Sequence, residues 1–337
     1  MRLYKTLRSL LSHRARGRLT KLLYITGLKP RVNRNTRSPF NKGVVVLSAD
    51  FEMAWAFRFS RRRHAEAVAA GLDERKNVPV LLELLEKHML PVTWATVGHL
   101  FLGECSRGEG EPAHAGMPRP EFFTNRNWSY VSGDWYEHDP CTDVVRDPAW
   151  YAADLVDCIV KSKAGHEFGC HTFSHADFTY AHCSREMADA ELDASIAAAA
   201  VKGITMRSMV FPGGSFGNYE SLVKKGFTCY RLPMRYHIDM CHTDSHGLVA
   251  IPSSLGLGRD QYGWDAHFHV RIIERFLAAA TRYRLVCHFW FHPSVDQWYL
   301  ENVMPSVLSL IERYRDKGHL AVMTMGELAE EYMRLQK

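Results

Sequence analysis

The chain has 337 residues, 46% of them hydrophobic, and a formal net charge of +5. That length suits one large domain or two small ones, and no apolar run reaches the roughly 18 residues of a membrane-spanning helix. Eight cysteines (105, 141, 158, 170, 183, 229, 241 and 287) include no C-x-x-C pair, which points to a reduced, cytoplasmic compartment rather than a disulfide framework.

In chain order, the first feature is a charge imbalance. Residues 1–42 hold twelve Lys or Arg and no Asp or Glu, so the remainder carries 30 basic residues against 37 acidic ones. The sequence therefore reads as a basic N-terminal arm, 1–42, ahead of one catalytic domain, 43–333. The segment Leu22–Leu28 is too short and interrupted for a secretory signal. Leu3, Leu7, Leu10 and Leu11 recur at helical spacing among Lys5, Arg8 and Arg14. This is the composition of an interfacial helix and predicts peripheral contact with an anionic membrane, at its inner face. The acidic body argues against nucleic acid as a partner.

Val44–Leu47 is a continuous apolar run ending at Ser48 and Asp50, a buried strand with polar residues at its C-terminal end. Residues 78–89 read as a helix, with Val80, Leu81, Leu84, Leu85 and His88 in register and Pro79 at its start. Pro91–Val97 is a second short strand. Periodicity fails from about 103 to 147, a long loop rich in Gly, Pro, Trp and Tyr. Helices follow near 149–162, 184–202, 218–225, 269–281 and 302–316. Strands follow near 166–170, 209–211, 227–230, 285–291 and 320–324. Strands alternating with helices imply parallel βαβ units, and about seven of them imply one β/α barrel.

Three segments carry chemistry. In Ser48-Ala49-Asp50-Phe51-Glu52, strand alternation sends both carboxylates to one side, at the end of the strand where barrel active sites form. In His171-Thr172-Phe173-Ser174-His175, a helical turn sets two imidazoles on one face, spaced for one metal ion. In His288-Phe289-Trp290-Phe291-His292-Pro293, a histidine at a strand end is a natural proton donor. Each has a bland reading: solvated charges, a chance histidine pair and satisfied core histidines, the last most of all for His288. A rival metal-capable group, His237, Asp239, Cys241, His242, Asp244 and His246, lacks convincing spacing. Gly213-Gly214-Ser215-Phe216-Gly217 matches the letters of a nucleophile elbow without its context, so Ser215 stays a minor alternative.

Taken together, the acidic pair, H-T-F-S-H, Phe211-Pro212-Gly213 and Phe291-His292-Pro293 occur in an order that resembles the NodB-homology polysaccharide deacetylases, carbohydrate esterase family 4. The segments Thr93–Phe101, Ile251–Ser254 and Thr324–Leu328 look closest to a branch associated with bacterial surface polysaccharides. The resemblance implies a distorted (β/α)7 barrel and a divalent metal, most often zinc, held by Glu52, His171 and His175. It implies Asp50 as general base and His292 as general acid, with the two carboxylate roles open to exchange. The implied activity is removal of an N-acetyl or other acyl group from an amino sugar or glycan. Pro212, Gly213, Trp290 and Trp135 are expected at the substrate. The family's third motif carries an arginine that is missing beside Pro212, and Arg207, Arg231 or Arg235 is expected to replace it in space. Two rivals remain: a carbohydrate-binding protein without catalysis on the same fold, and a hydrolase of a non-sugar cyclic amide.

Overall fold

The computed structural model describes residues 12–336. Strand β2, Gly43–Phe51, is buried along its whole length. An apolar run that offers no polar face needs partners on both edges and cover on both faces, and it has them. Strand β13, Val286–Phe291, pairs along one edge. The other edge is shared: β14, Leu320–Met323, pairs with the first half, and β3, Thr93–Thr96, with the second. Gly43 is required at the start, because a Cβ there would meet the Ala280 carbonyl oxygen at 2.5 Å.

From β3 the sheet continues in parallel through β6, Glu167–Cys170, then β7, Ser208–Met209, β8, Cys229–Met234, and β11, Val249–Ser253. One residue after β11 the chain becomes β12, Leu255–Gly256, which pairs with β13. Ser254 between them donates its N–H to the His288 carbonyl at 2.8 Å. The segment 249–256 thus joins β8 to β13 and curls the sheet into a seven-staved barrel, the distorted (β/α)7 architecture expected. Strand β14 is a further parallel partner of β2, and β10, His242–Thr243, an antiparallel addition to β11.

Five helices lie where periodicity put them: α3 Ala153–Lys161, α4 Arg185–Ala200, α5 Tyr219–Lys224, α6 Ala266–Tyr283 and α8 Met304–Asp316; a short α7, Gln297–Asn302, before α8 and the C-terminal α9, Met325–Leu335, are additions that the sequence reading did not include. Helix α9 starts with a capping box between Thr324 and Glu327. Helix α2 is the correction. It runs Ala67–His88, with Pro79 in its interior rather than at its start. The apolar stripe was masked by two polar residues on the buried face, Glu74 and Asn77. Both hold the site, as described below.

The basic N-terminal segment packs on the barrel from residue 12 onward. Helix α1, His13–Ile25, inserts Tyr24 against Trp264, Phe268 and Phe276. Strand β1, Arg31–Val32, pairs with β9, His237–Ile238. Leu3, Leu7, Leu10 and Leu11, on which the interfacial-helix reading rests, lie outside the described residues. Leu22, Ile25 and Leu28 are exposed. Among the described residues no helix is long and apolar enough to cross a membrane. All eight cysteines are free thiols.

Candidate active site

The C-terminal ends of β2, β6, β7, β8 and β13 open into a cleft of about 600 Å³ that contains Asp50, Glu52, His171, His175, Arg231, Trp290 and His292. Barrels build their sites at this end because every strand there hands over to a loop.

Glu52 is the hub. Its Oε2 lies 3.0 Å from His171 Nε2 and 3.1 Å from His175 Nε2, and its Oε1 lies 3.2 Å from His292 Nε2. Glu52, His171 and His175 are all buried, with ligand atoms within 4.8 Å of one another. His171 Nδ1 donates to the Val210 carbonyl at 2.7 Å, since a carbonyl can only accept. In a neutral His171 the Nε2 lone pair then faces a carboxylate lone pair. A shared divalent cation removes that clash, and two imidazoles with one carboxylate are the donor set of a three-ligand zinc site with open positions. The residues therefore fit a metal.

The histidine pair does not sit on a helical turn. Residues 171–175 form a loop in which Thr172 and His175 take positive φ, +59° and +57°. Non-glycine residues rarely adopt this conformation, a β-branched one least of all. The loop is over-determined by its surroundings. Buried Glu191 of α4 accepts from Ser174 N at 2.8 Å and Ser174 Oγ at 2.6 Å. Thr172 Oγ1 accepts from Ala176 N at 2.8 Å.

Asp50 keeps apart from the histidines and is gripped by Arg231 of β8. Arg231 donates to Oδ1 and Oδ2 at 2.6 Å each, a bidentate fork. It also donates to Ser48 Oγ at 3.0 Å and lies over the Trp290 ring. Ser48 in turn contacts His288 Nε2 at 2.8 Å. Burial works to raise the Asp50 pKa, but the guanidinium outweighs it and holds the carboxyl below its ordinary value. His288 is driven down to about 3 by burial and by Arg231, so it stays neutral. Of the three candidate arginines, Arg231 is the one that pairs with Asp50; no ion pair joins Arg207 or Arg235 to it among the described residues.

His292 has a side chain 40% exposed to the cleft. Burial acts to lower its pKa, but the Glu52 and Asp50 carboxylates raise it to about 9. Glu74 of α2 lies beneath the hub. Its carboxylate accepts from Glu52 N at 3.3 Å and Met53 N at 3.0 Å, and burial beside Glu52 raises its pKa to about 8. Asn77 donates to the carbonyls of Pro293 and Val295 at 2.9 and 3.0 Å, anchoring the loop after His292.

The other expected residues separate. Gly213 lines the cleft with φ +56°, and a Cβ there would strike Trp128 at 2.6 Å. Trp290 and Trp128 line the cleft too. Trp135 does not: it is 1% exposed, stacks on Phe59 and donates to Ser174 Oγ at 2.8 Å, so it supports the histidine loop instead of a sugar ring. Tyr130 and Tyr136 are likewise buried. Pro212 is buried beside the cleft, and its carbonyl accepts from Ser215 Oγ at 2.7 Å. Ser215 Oγ also accepts from Phe178 N at 2.9 Å, which makes it a turn-forming hydroxyl and not a nucleophile. Gly214 N–H is spent on the Phe211 carbonyl, so it is not free to hold an oxyanion. The group from His237 to His246 does not converge on a common point: Asp239 binds Asn33 and His237, and Asp244 closes its own turn.

Residues 64–228 match the family model for polysaccharide deacetylase. The match includes His171 and His175 and leaves Asp50, Glu52, Arg231 and His292 outside. The fold is similar to three solved structures. One is assigned as a polysaccharide deacetylase from Mycobacterium smegmatis (TM-score 0.59, 15% identity, 89% of this chain and 94% of that one). A second is assigned likewise from Pseudomonas aeruginosa PAO1 (0.57, 14%, 86% and 91%). The third is the PuuE allantoinase (0.53, 14%, 87% and 89%). No curated protein gives a significant match to this sequence.

Proposed function

We propose that this chain, which carries a polysaccharide deacetylase domain, is a metal-dependent hydrolase that removes an N-acetyl group from an amino sugar or glycan, breaking a carbon–nitrogen bond that is not a peptide bond. The observation that carries this reading is the separation of two carboxylates. Glu52 meets His171 and His175, while Asp50 is forked by Arg231 and lines the same cleft. One carboxylate can hold a cation and the other can take a proton.

Glu52, His171 and His175 would hold the divalent ion, most readily zinc. When bound, such an ion acidifies water and polarises the substrate carbonyl. Asp50, kept ionised by Arg231, accepts the proton as water attacks the acetyl carbon. His292, whose proton the nearby Glu52 and Asp50 carboxylates favour, gives that proton to the sugar nitrogen as the C–N bond breaks. The products are acetate and an amino sugar. Half-buried Trp290, with Arg231 over its ring, is the aromatic side chain placed to contact the sugar, whereas Trp128 is 4% exposed and serves as wall. Exposed Arg62 and Arg126 line the mouth and favour a glycan bearing phosphate or carboxylate.

If His292 is the acid, His292→Ala is expected to keep metal and substrate binding and to lower kcat by about 10²–10⁴-fold. The loss should shrink on an acetyl ester with a good leaving group, which needs no protonation. Unchanged turnover of the amide removes His292 from the mechanism.

Substrate class is tested by acetate release from free, nucleotide-linked, lipid-linked and polymeric N-acetyl sugars, alongside ring opening of cyclic amides. Acetate release that stops with a chelator and returns with zinc is expected, with lower KM on the anionic sugars. Turnover of cyclic amides alone favours the amidohydrolase reading, to which the allantoinase likeness lends support. Glycan binding without turnover makes the protein a lectin-like member of the fold.

The N-terminal segment is assigned a second role, reversible contact with the inner face of an anionic membrane. Exposed Leu22, Ile25 and Leu28 give α1 and the turn after it an apolar edge within a basic segment. Each basic residue near such a leaflet contributes about 1 kcal/mol, less at high salt. The full chain is expected to sediment with anionic but not neutral vesicles at low salt, and Leu22→Ser/Ile25→Ser/Leu28→Ser to do so less. A full chain that stays in solution with both kinds of vesicle shows this role to be wrong.

A further inference from the structure

The geometry points to a second, structural metal site, for zinc or a like transition ion, formed by His99, Cys105, His114 and Asp139. It goes beyond the deacetylase reading and shares no residue with the Glu52 site.

His99 lies in the 3-10 turn Gly98–Phe101 that follows β3. The other three come from the long loop before α3, whose own secondary structure is limited to two paired two-residue strands, Phe123–Thr124 and Ser129–Tyr130. The loop nevertheless brings its three residues to His99, so that one ligand atom from each of the four lies within 4.8 Å of the rest. Asp139 Oδ2 is the centre, 2.7 Å from His114 Nε2, 3.0 Å from His99 Nε2 and 3.3 Å from Cys105 Sγ. The side chains of His99 and Asp139 are fully buried.

Hydrogen bonding alone does not account for this arrangement. Three donors crowd one carboxylate oxygen, and His99 Nε2, buried and aimed at it, makes no hydrogen bond of acceptable geometry. The other oxygen, Oδ1, is held from behind by Tyr151 OH at 2.9 Å and Cys141 N at 3.0 Å. This is how an outer shell orients a ligating carboxylate. Two neutral imidazoles, one thiolate and one carboxylate make a closed four-ligand set of the borderline-soft kind that zinc prefers. Their charge of −2 cancels that of a divalent ion, so the filled site is neutral and costs little to bury. Loading releases the thiol proton to solvent, and no redox change is involved.

The site has a structural consequence. A long loop with little secondary structure gains order from a cross-link. The cluster also backs onto the catalytic loop. Phe173, between the two histidine ligands, packs edge-on against His99 and His114. Its carbonyl accepts from His99 N at 3.0 Å, and Thr172's accepts from Gly98 N at 2.8 Å.

The first arm of the test leaves the proposed ligands intact. The full chain carrying His171→Ala/His175→Ala, which removes the other site, is purified in zinc-supplemented medium and separately in cobalt-supplemented medium. One equivalent of zinc per chain is expected, and the cobalt form should show thiolate-to-cobalt charge-transfer absorption in the near ultraviolet. Adding Cys105→Ser to that variant should abolish the absorption. A folded double variant with no retained metal and no such band overturns the proposal and leaves a hydrogen-bonded cluster. A retained metal whose band survives Cys105→Ser excludes this ligand set.

Discussion

Asp50→Asn is expected to lower kcat by about 10²–10⁴-fold, the range for loss of a positioned general base, while the protein keeps its metal. The amide fills the same space and still offers Arg231 a carbonyl oxygen, so the cleft should keep its shape. What disappears is the capacity to accept a proton. Glu52→Gln is the matching control. Its amide cannot supply the charged ligand that His171 and His175 share, so it should lose metal and activity together. The two carboxylates are two residues apart in sequence, and their neighbours set these opposite expectations: Arg231 for Asp50, two imidazoles for Glu52. Metal loss in Asp50→Asn with retention in Glu52→Gln would exchange the two roles.

Arg231→Met is expected to cost nearly as much activity at neutral pH, through a different route. Arg231 is a positioning residue; it touches Asp50 and not the reacting atoms. Removing it leaves a buried carboxylate without its cation, and burial then raises its pKa. In the wild type the Asp50 pKa lies below its ordinary value, so the base is ionised across the neutral range. In the variant protonation persists to higher pH, and kcat should climb as pH rises where the wild type is flat. A loss of about 10²-fold or more near neutrality, partly recovered at alkaline pH, is expected. Arg231→Lys should restore charge without the fork, giving an intermediate kcat and a pH profile nearer the wild type. An Arg231→Met enzyme with unchanged kcat and pH profile would show that the fork does not control the base.

These two residues also show what the sequence could and could not reveal. Asp50 and Glu52 were legible because a buried strand ends there, and period-two alternation sends both to one side. The H-x-x-x-H spacing singled out two histidines that the fold does bring together at Glu52, but for the wrong local reason. The spacing suits a helical turn, whereas the chain uses a loop with two left-handed residues held by Glu191. Arg231 was one of three candidates, because bringing β8 opposite β2 is a property of barrel closure and not of local pattern. Helix α2 was truncated at Pro79 since buried Glu74 and Asn77 broke its apolar stripe. Those polar residues face inward to hold the backbone at Glu52 and after His292. Trp135 looked like a sugar platform because an aromatic loop residue has no periodicity to say that it is buried. The cluster of His99, Cys105, His114 and Asp139 was invisible for a similar reason, since its spacings repeat no metal-binding pattern.

The most direct measurement is anomalous diffraction at the zinc edge from crystals of the zinc-loaded full chain. A peak is expected at bonding distance, about 2.0–2.2 Å, from Glu52 and from the Nε2 atoms of His171 and His175, with Asp50 still forked by Arg231. An ordered Glu52, His171 and His175 with no peak between them would contradict the assignment of a metal-dependent deacetylase site here.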